Sequence, residues 1–320
     1  HPLEKGQNSN DSARKMNSAL LRCRFRKIAA SPLNEDFKLN LLYCCSPLKN
    51  TDRRKIDRMM KKRYLAIPIL AIALHFLLSN LLYFLVERLV LDIFHIPLQQ
   101  FMKHSYWGEI LIYAVLILVF FTLYKLLWRK EISEPRTATN FKDVLGSLVV
   151  GFGICGISGL WIMLAEQLPS LQKSVEAMNA GAENIAGGNA FGTFMIAVIA
   201  APVVEEILFR GIVLRSIRKF SPVWASILIS SVLFGVYHLN IVQAAYATLM
   251  GIAAGILYEK KRNLLFPILV HFVNNLITML QGFAPSEVNE LISIFILIMI
   301  APAGYVVCRS LRQGKRADSM

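Results

Sequence analysis

The chain has 320 residues, 55% of them hydrophobic, with a mean hydropathy of +0.49 and a formal net charge of +14. That composition excludes an ordinary soluble domain, and because nearly half the Lys and Arg precede Tyr64 while most others fall in short loops, the charge is not a nucleic-acid footprint. The five cysteines, Cys23, Cys44, Cys45, Cys155 and Cys308, have no CxxC and no His at ligand spacing, which excludes a disulfide framework or zinc ribbon.

Residues 1–63 are polar, basic and without a sustained helical or strand period, and read as a disordered cytoplasmic tail. A second reading takes residues 1–59 as foreign to the natural protein, since Met60-Lys61-Lys62-Arg63 before a long apolar run has the form of a native start. Eight apolar runs then follow at the length a bilayer-spanning helix needs: Tyr64–Val86, Trp107–Trp128, Val144–Leu164, Phe191–Ile217, Val223–His238, Ile241–Tyr258, Leu264–Leu280 and Leu291–Cys308. The predicted fold class is an all-α polytopic membrane protein, a bundle of eight helices. Two N-terminal spans occupy 64–142, a core 143–308, and a short basic tail 309–320.

The loops test the orientation. Arg129, Lys130, Arg136 and Lys142, then Arg215, Arg218 and Lys219, then Lys260, Lys261 and Arg262, and finally Arg309, Arg312, Lys315 and Arg316 alternate with loops holding only Arg88, Lys103 and Lys173. The positive-inside rule therefore predicts cytoplasmic N- and C-termini and an integral, multi-pass protein, with a bacterial cell membrane as the expected location. The segment from Ala165 to Asn189, entering the fourth span through Gly187 and Gly188, reads as a connector, with an access flap as the alternative.

Polar groups inside the spans carry the functional signal. Glu205, Glu206 and Arg210 sit within apolar sequence, where each ionisable group costs about 2.5–3.5 kcal/mol on insertion scales. Glu206 and Arg210, four apart, share a helix face and can neutralise each other. Glu205, turned about 100° away on a 3.6-residue helix, has no partner within its own helix. Two further pairs at the same spacing are Phe234 with His238 and His271 with Asn275. A carboxylate, two imidazoles and a carboxamide brought together in a bundle can bind and polarise a water. Taken singly, each group reads as helix-packing glue or a structural ion pair, and His75 in the first span reads as a satisfied interhelical hydrogen-bond partner. Counting from the cytoplasmic ends, Glu205 and Asn275 fall near mid-membrane whereas His238 falls toward the outer end of its span.

Glu-Glu-x-x-x-Arg at 205–210, Phe-x-x-x-His at 234–238 and His-x-x-x-Asn at 271–275, in that order on successive apolar spans, resemble the CAAX-protease and bacteriocin-processing family of intramembrane endopeptidases. The resemblance covers about Val144 to Cys308. It implies a helical bundle around a water-filled intramembrane cavity and hydrolysis of a membrane-associated or lipidated polypeptide, with the lipid bilayer and that peptide as partners and no nucleic acid. By position it implies that Glu205 and His238 activate water, that His271 and Asn275 stabilise the oxyanion, that Glu206 and Arg210 hold and orient Glu205, and that Phe234 packs beneath the site. No cofactor is expected; the alternative is a Zn²⁺ ion on Glu205, His238 and His271, although HExxH is absent. Two readings from other classes are a non-catalytic immunity or scaffold protein of the same fold and a proton-coupled transporter, the latter calling for inverted repeats that the sequence does not show.

Overall fold

The computed structural model describes residues 50–95, 97, 105–129, 139–186 and 189–317. Backbone packing divides the chain into two units, His1–Lys62 and Arg63–Met320. Of the predicted tail, residues 1–49 lie outside the described residues, as do Lys130, Arg136, Lys103, Gly187 and Gly188. The stretch 50–62 is helical, which corrects the expectation of a structureless tail up to residue 63.

All regular structure among the described residues is helical. Helix α1 is Asn50–Arg88, extended by one π-turn at Leu89–Ile93, α2 is Tyr106–Leu127 and α3 is Phe141–Glu166. After a 3₁₀ turn at Pro169–Leu171 comes α4, Gln172–Ala186. Helix α5 runs over residues 190–217 and mixes two geometries: Ala190–Thr193, Ala201–Glu206 and Arg215–Ile217 are α-helical, whereas Phe194–Ala200 and Ile207–Leu214 are π-helical. The rest are α6 (Val223–Tyr237), α7 (Ile241–Lys261), α8 (Leu265–Phe283), α9 (Ser286–Ile298) and α10 (Ile300–Ala317).

Six helices among the described residues are long and apolar enough to cross a membrane: Tyr64–Ile93, α2, α3, α7, α8 and the run Ser286–Arg312. The predicted span Phe191–Ile217 corresponds to α5, with its alternating π geometry. The predicted span Val223–His238 is the 15-residue α6. At 1.5 Å per residue, α6 covers only about 22 Å, short of a hydrocarbon core of about 30 Å. Helices α9 and α10 meet at Met299, because Pro302 has no N–H to donate to Ile298 and a continuous α-helix would need that bond.

Helix α3 is central, packing against α7, α8, α9 and α10. Its glycines allow that closeness: a Cβ on Gly151 would lie 2.6 Å from the Val273 Cβ of α8. The segment Ala165–Asn189 is mostly the helix α4 and not a plain connector. Val175 packs with Ala165 of α3 and Val242 of α7, while Ser174 Oγ donates to Asn240 Oδ1 at 2.8 Å. At the opposite end of the bundle, Glu259 forms ion pairs with Arg218 at 3.5 Å and Arg262 at 2.9 Å, and Asp143 pairs with Lys261 at 2.7 Å. Arg218, Lys261 and Arg262, from two of the basic loops expected on one side of a membrane, thus lie at the same end of the described helices.

Candidate active site

Helix α5 presents Glu205 and Glu206 at the junction of an α-helical turn with the π-helical stretch that follows. The π-helical stretch before them has a consequence for Asn275. Ala201 N–H donates to Ile196 O, and Pro202 has no N–H, so the Ala197 carbonyl is left without its usual helical donor. Asn275 Nδ2 of α8 fills that role at 2.8 Å, and Asn274 Nδ2 in turn donates to Asn275 Oδ1 at 3.1 Å. One amide hydrogen of Asn275 is thereby fixed on α5, and the second remains to serve another acceptor.

Glu206 is 0% exposed and Arg210 1% exposed. Arg210 Nη1 donates to Glu206 Oε1 at 2.8 Å, and the guanidinium lies 4.7 Å from the centre of the Phe234 ring. The same Glu206 oxygen is 3.1 Å from His271 Nδ1. Donation from Nδ1–H to the carboxylate fixes the imidazole and directs Nε2 toward Glu205, whose Oε2 is 3.9 Å away. That separation is too long for a direct hydrogen bond. Sequence reasoning assigned His271 to the oxyanion alone; its second nitrogen is tied to the Glu206–Arg210 pair, which the spacing of residues on different helices could not reveal.

Phe234 is the hub of an aromatic cluster. Its ring meets His238 edge-on at 4.9 Å between centroids, His271 at 5.7 Å and Phe209 at 5.0 Å. His238 follows the last residue of α6 and hydrogen-bonds through Nδ1 to the Phe234 carbonyl at 2.9 Å, which leaves Nε2 for chemistry. The turn behind it is braced. Leu239 adopts a left-handed conformation (φ 56°), a costly one for a side chain of this size. Asn240 caps α7 by accepting from Gln243 N at 3.0 Å, donates to Ser174 O at 2.8 Å and receives Ser174 Oγ at 2.8 Å. Helix α4 therefore positions His238, and because α6 is short, His238 need not lie at a membrane surface as span counting suggested.

The structure brings Glu205, Glu206, Arg210, Phe234, His238, His271 and Asn275 into one connected group. Residues the sequence did not single out also reach it. Tyr113 of α2 and Tyr237 of α6 lie within electrostatic range of Glu205, and Tyr237 Oη is 2.9 Å from His75 Nδ1. His75 thus makes its interhelical bond with a neighbour of the site. The tyrosines gave no signal, since aromatic residues in apolar spans are ordinary core, but Asn240 directly before an apolar helix is a readable N-cap. Glu205 Oε2, Glu206 Oε2 and Arg210 Nη2 are buried without a hydrogen-bond partner among the described residues. As for zinc, no group of three His, Cys, Asp or Glu side chains among the described residues is spaced to hold a metal ion. His271 Nδ1 is engaged by Glu206, which leaves Nε2 as the ring nitrogen facing Glu205.

Comparison with known proteins converges on the same segment. The family model described as "Type II CAAX prenyl endopeptidase Rce1-like" matches residues 187–277, which contain every member of the cluster. A protein of Bacillus subtilis (strain 168), "Putative membrane peptidase YdiL", is 26% identical over 198 residues, covering 59% of this chain and 77% of that protein. The matched segment carries all three motifs by which the chain resembles the CAAX-protease and bacteriocin-processing family. These likenesses accord with the all-helical architecture and, with six helices among the described residues long and apolar enough to cross a membrane, support an integral, multi-pass membrane protein. No solved structure matches the chain.

Proposed function

We propose that this protein is an intramembrane endopeptidase that hydrolyses a peptide bond of a membrane-associated or lipidated polypeptide, of CAAX or bacteriocin type, with water activated by Glu205 and His238. The observation that carries this reading is a carboxylate in apolar surroundings whose Oε2 has no hydrogen-bond partner among the described residues while an imidazole nitrogen faces it at 3.9 Å. Glu205 accepts a proton as the water oxygen attacks the scissile carbonyl carbon, and His238 Nε2 orients that water. The oxyanion is held by His271 Nε2–H and by the amide hydrogen of Asn275 not committed to Ala197, donors already in place before reaction. Collapse of the tetrahedral intermediate breaks the C–N bond, and the proton held by Glu205 passes to the leaving amine. Glu206, shared between His271 and Arg210, holds the imidazole through Nδ1, and Phe234 supports both histidines and Arg210. No metal enters these steps. Both termini face the cytoplasm in this reading, because basic residues of two of these loops share one end of the described helices.

The test uses purified protein in nanodiscs with membrane-derived peptides in ¹⁸O-enriched water. New carboxyl termini should each carry one ¹⁸O and appear equally with 1,10-phenanthroline present. Cleavage abolished by the chelator and restored by zinc would contradict the metal-free mechanism, and the absence of new termini would contradict the protease assignment.

A further inference from the structure

Outside the segment 187–277, the halves of α1 and α2 nearest their connection enclose an open-sided pocket of about 360 Å³. Its polar lining is unusual for paired membrane helices: His75, Ser79, Asn80 and Tyr83 from α1, Glu109 and Tyr113 from α2. His75 is only 6% exposed, yet its Nε2 is buried without a hydrogen-bond partner among the described residues. Nδ1 and Tyr237 Oη share a hydrogen bond at 2.9 Å, and in the tautomer that places the proton on Nδ1, Nε2 is an acceptor toward the pocket. Asn80 gives one amide hydrogen to Phe76 O at 2.7 Å and keeps Oδ1 as an acceptor and its second amide hydrogen as a donor. Ser79 Oγ donates to the His75 carbonyl and keeps its lone pairs. Among the described residues, Glu109 forms no ion pair and is the only charged group lining the pocket. The lining is therefore rich in acceptors and carries one negative charge.

The pocket adjoins the candidate active site. Tyr113 lines it and lies within the field of Glu205, while His75 bonds Tyr237, whose ring stands 5.7 Å from that of His238. From His75 to Tyr83 the pocket runs about 12 Å along α1, the length of roughly three to four extended residues.

We propose that this pocket is a substrate subsite for a cationic side chain, Lys or Arg, of the peptide being cleaved, with Glu109 as counter-charge and His75 Nε2, Ser79 and Asn80 as hydrogen-bond acceptors. The proposal rests on the protease reading above. A guanidinium or ammonium group needs both a counter-charge and several acceptors to leave water, and the pocket supplies both beside the carboxylate that does the chemistry. The basic residue falls within about four positions of the scissile bond, as the length of the pocket allows.

The test is cleavage profiling by mass spectrometry of a peptide library from a glutamate-specific digest of membrane proteins, with the full chain in phosphatidylglycerol nanodiscs, which supply no lipid amine. The expected profile shows at least a tenfold preference for Lys or Arg at one position within four of the cut. Glu109→Gln collapses that ratio to below twofold, and Glu109→Lys turns the preference toward Asp or Glu at the same position, a gain that misfolding cannot produce. Cleavage with no basic preference, or a preference unchanged in Glu109→Gln, overturns the subsite and leaves the protease reading standing. A preference lost when phosphatidylethanolamine is added assigns the pocket to a lipid amine and also overturns it. Wild-type products identical to those of Glu205→Gln overturn the protease reading and the subsite with it.

Discussion

Replacing Arg210 by Met removes one partner of an ion pair whose members are 1% and 0% exposed, leaving the Glu206 carboxylate buried with only His271 Nδ1 beside it. Breaking a buried pair from one side costs about 3–5 kcal/mol, because the remaining charge keeps its desolvation penalty. Lost contact of the guanidinium with the Phe234 ring, 4.7 Å away, belongs to the same sum. The double variant Glu206→Met with Arg210→Met removes both charges and fills similar volume. Its residual cost is the orphaned His271 Nδ1, about 1–3 kcal/mol. The two substitutions are therefore strongly non-additive, the double variant being more stable than Arg210→Met alone by about 2 kcal/mol at the middle of these ranges. Equilibrium unfolding in mixed micelles of the wild type, both single variants and the double variant gives the coupling directly. Additivity within about 0.5 kcal/mol, or a single-variant loss below about 1 kcal/mol, would refute the claim that this pair is desolvated and mutually neutralising.

Other consequences are open to the same kind of measurement. Asn240→Ala removes the cap of α7 and both bonds to Ser174, so it should destabilise by about 0.5–2 kcal/mol and lower kcat by releasing the turn that holds His238; a changed melting temperature with unchanged kcat would contradict the positioning role of α4. Asn275→Leu leaves the Ala197 carbonyl unpartnered and should cost about 1–3 kcal/mol as well as activity. Asn275→Asp, which cannot donate to that carbonyl when ionised, should fare no better, and near-wild-type stability of both would contradict the account of the π-turn.

Much of the site was legible because membrane-embedded charge is rare. Glu205, Glu206 and Arg210 stood out against apolar sequence, and the i, i+4 rule paired Glu206 with Arg210 and left Glu205 apart, the arrangement found at 2.8 Å and with Glu205 Oε2 unpartnered. What remained hidden had physical causes. A 3.6-residue period cannot register the π-helical stretches Phe194–Ala200 and Ile207–Leu214, so the freed Ala197 carbonyl and its bond to Asn275 were invisible. Helix α4 has good helix formers but too little apolar surface for a span, and a search for spans reads it as loop although Val175 seats it on Val242. The role of His271 as a bridge from Glu206 toward Glu205 depends on how α8 faces α5, a tertiary fact that spacing within one helix does not contain. That His238 closes a 15-residue helix at the Leu239 turn was also hidden, because an apolar run does not show where its helix stops.

The central claim concerns one carboxylate, and single-turnover cleavage by Glu205→Gln tests it most directly. Glutamine keeps the shape and hydrogen-bonding reach of Glu205 but cannot accept the proton of the attacking water. The account predicts a first-order rate constant lowered at least about 10³-fold, with peptide affinity within about threefold of wild type and an unchanged melting temperature. A folded Glu205→Gln protein that cleaves within tenfold of the wild-type rate would contradict it.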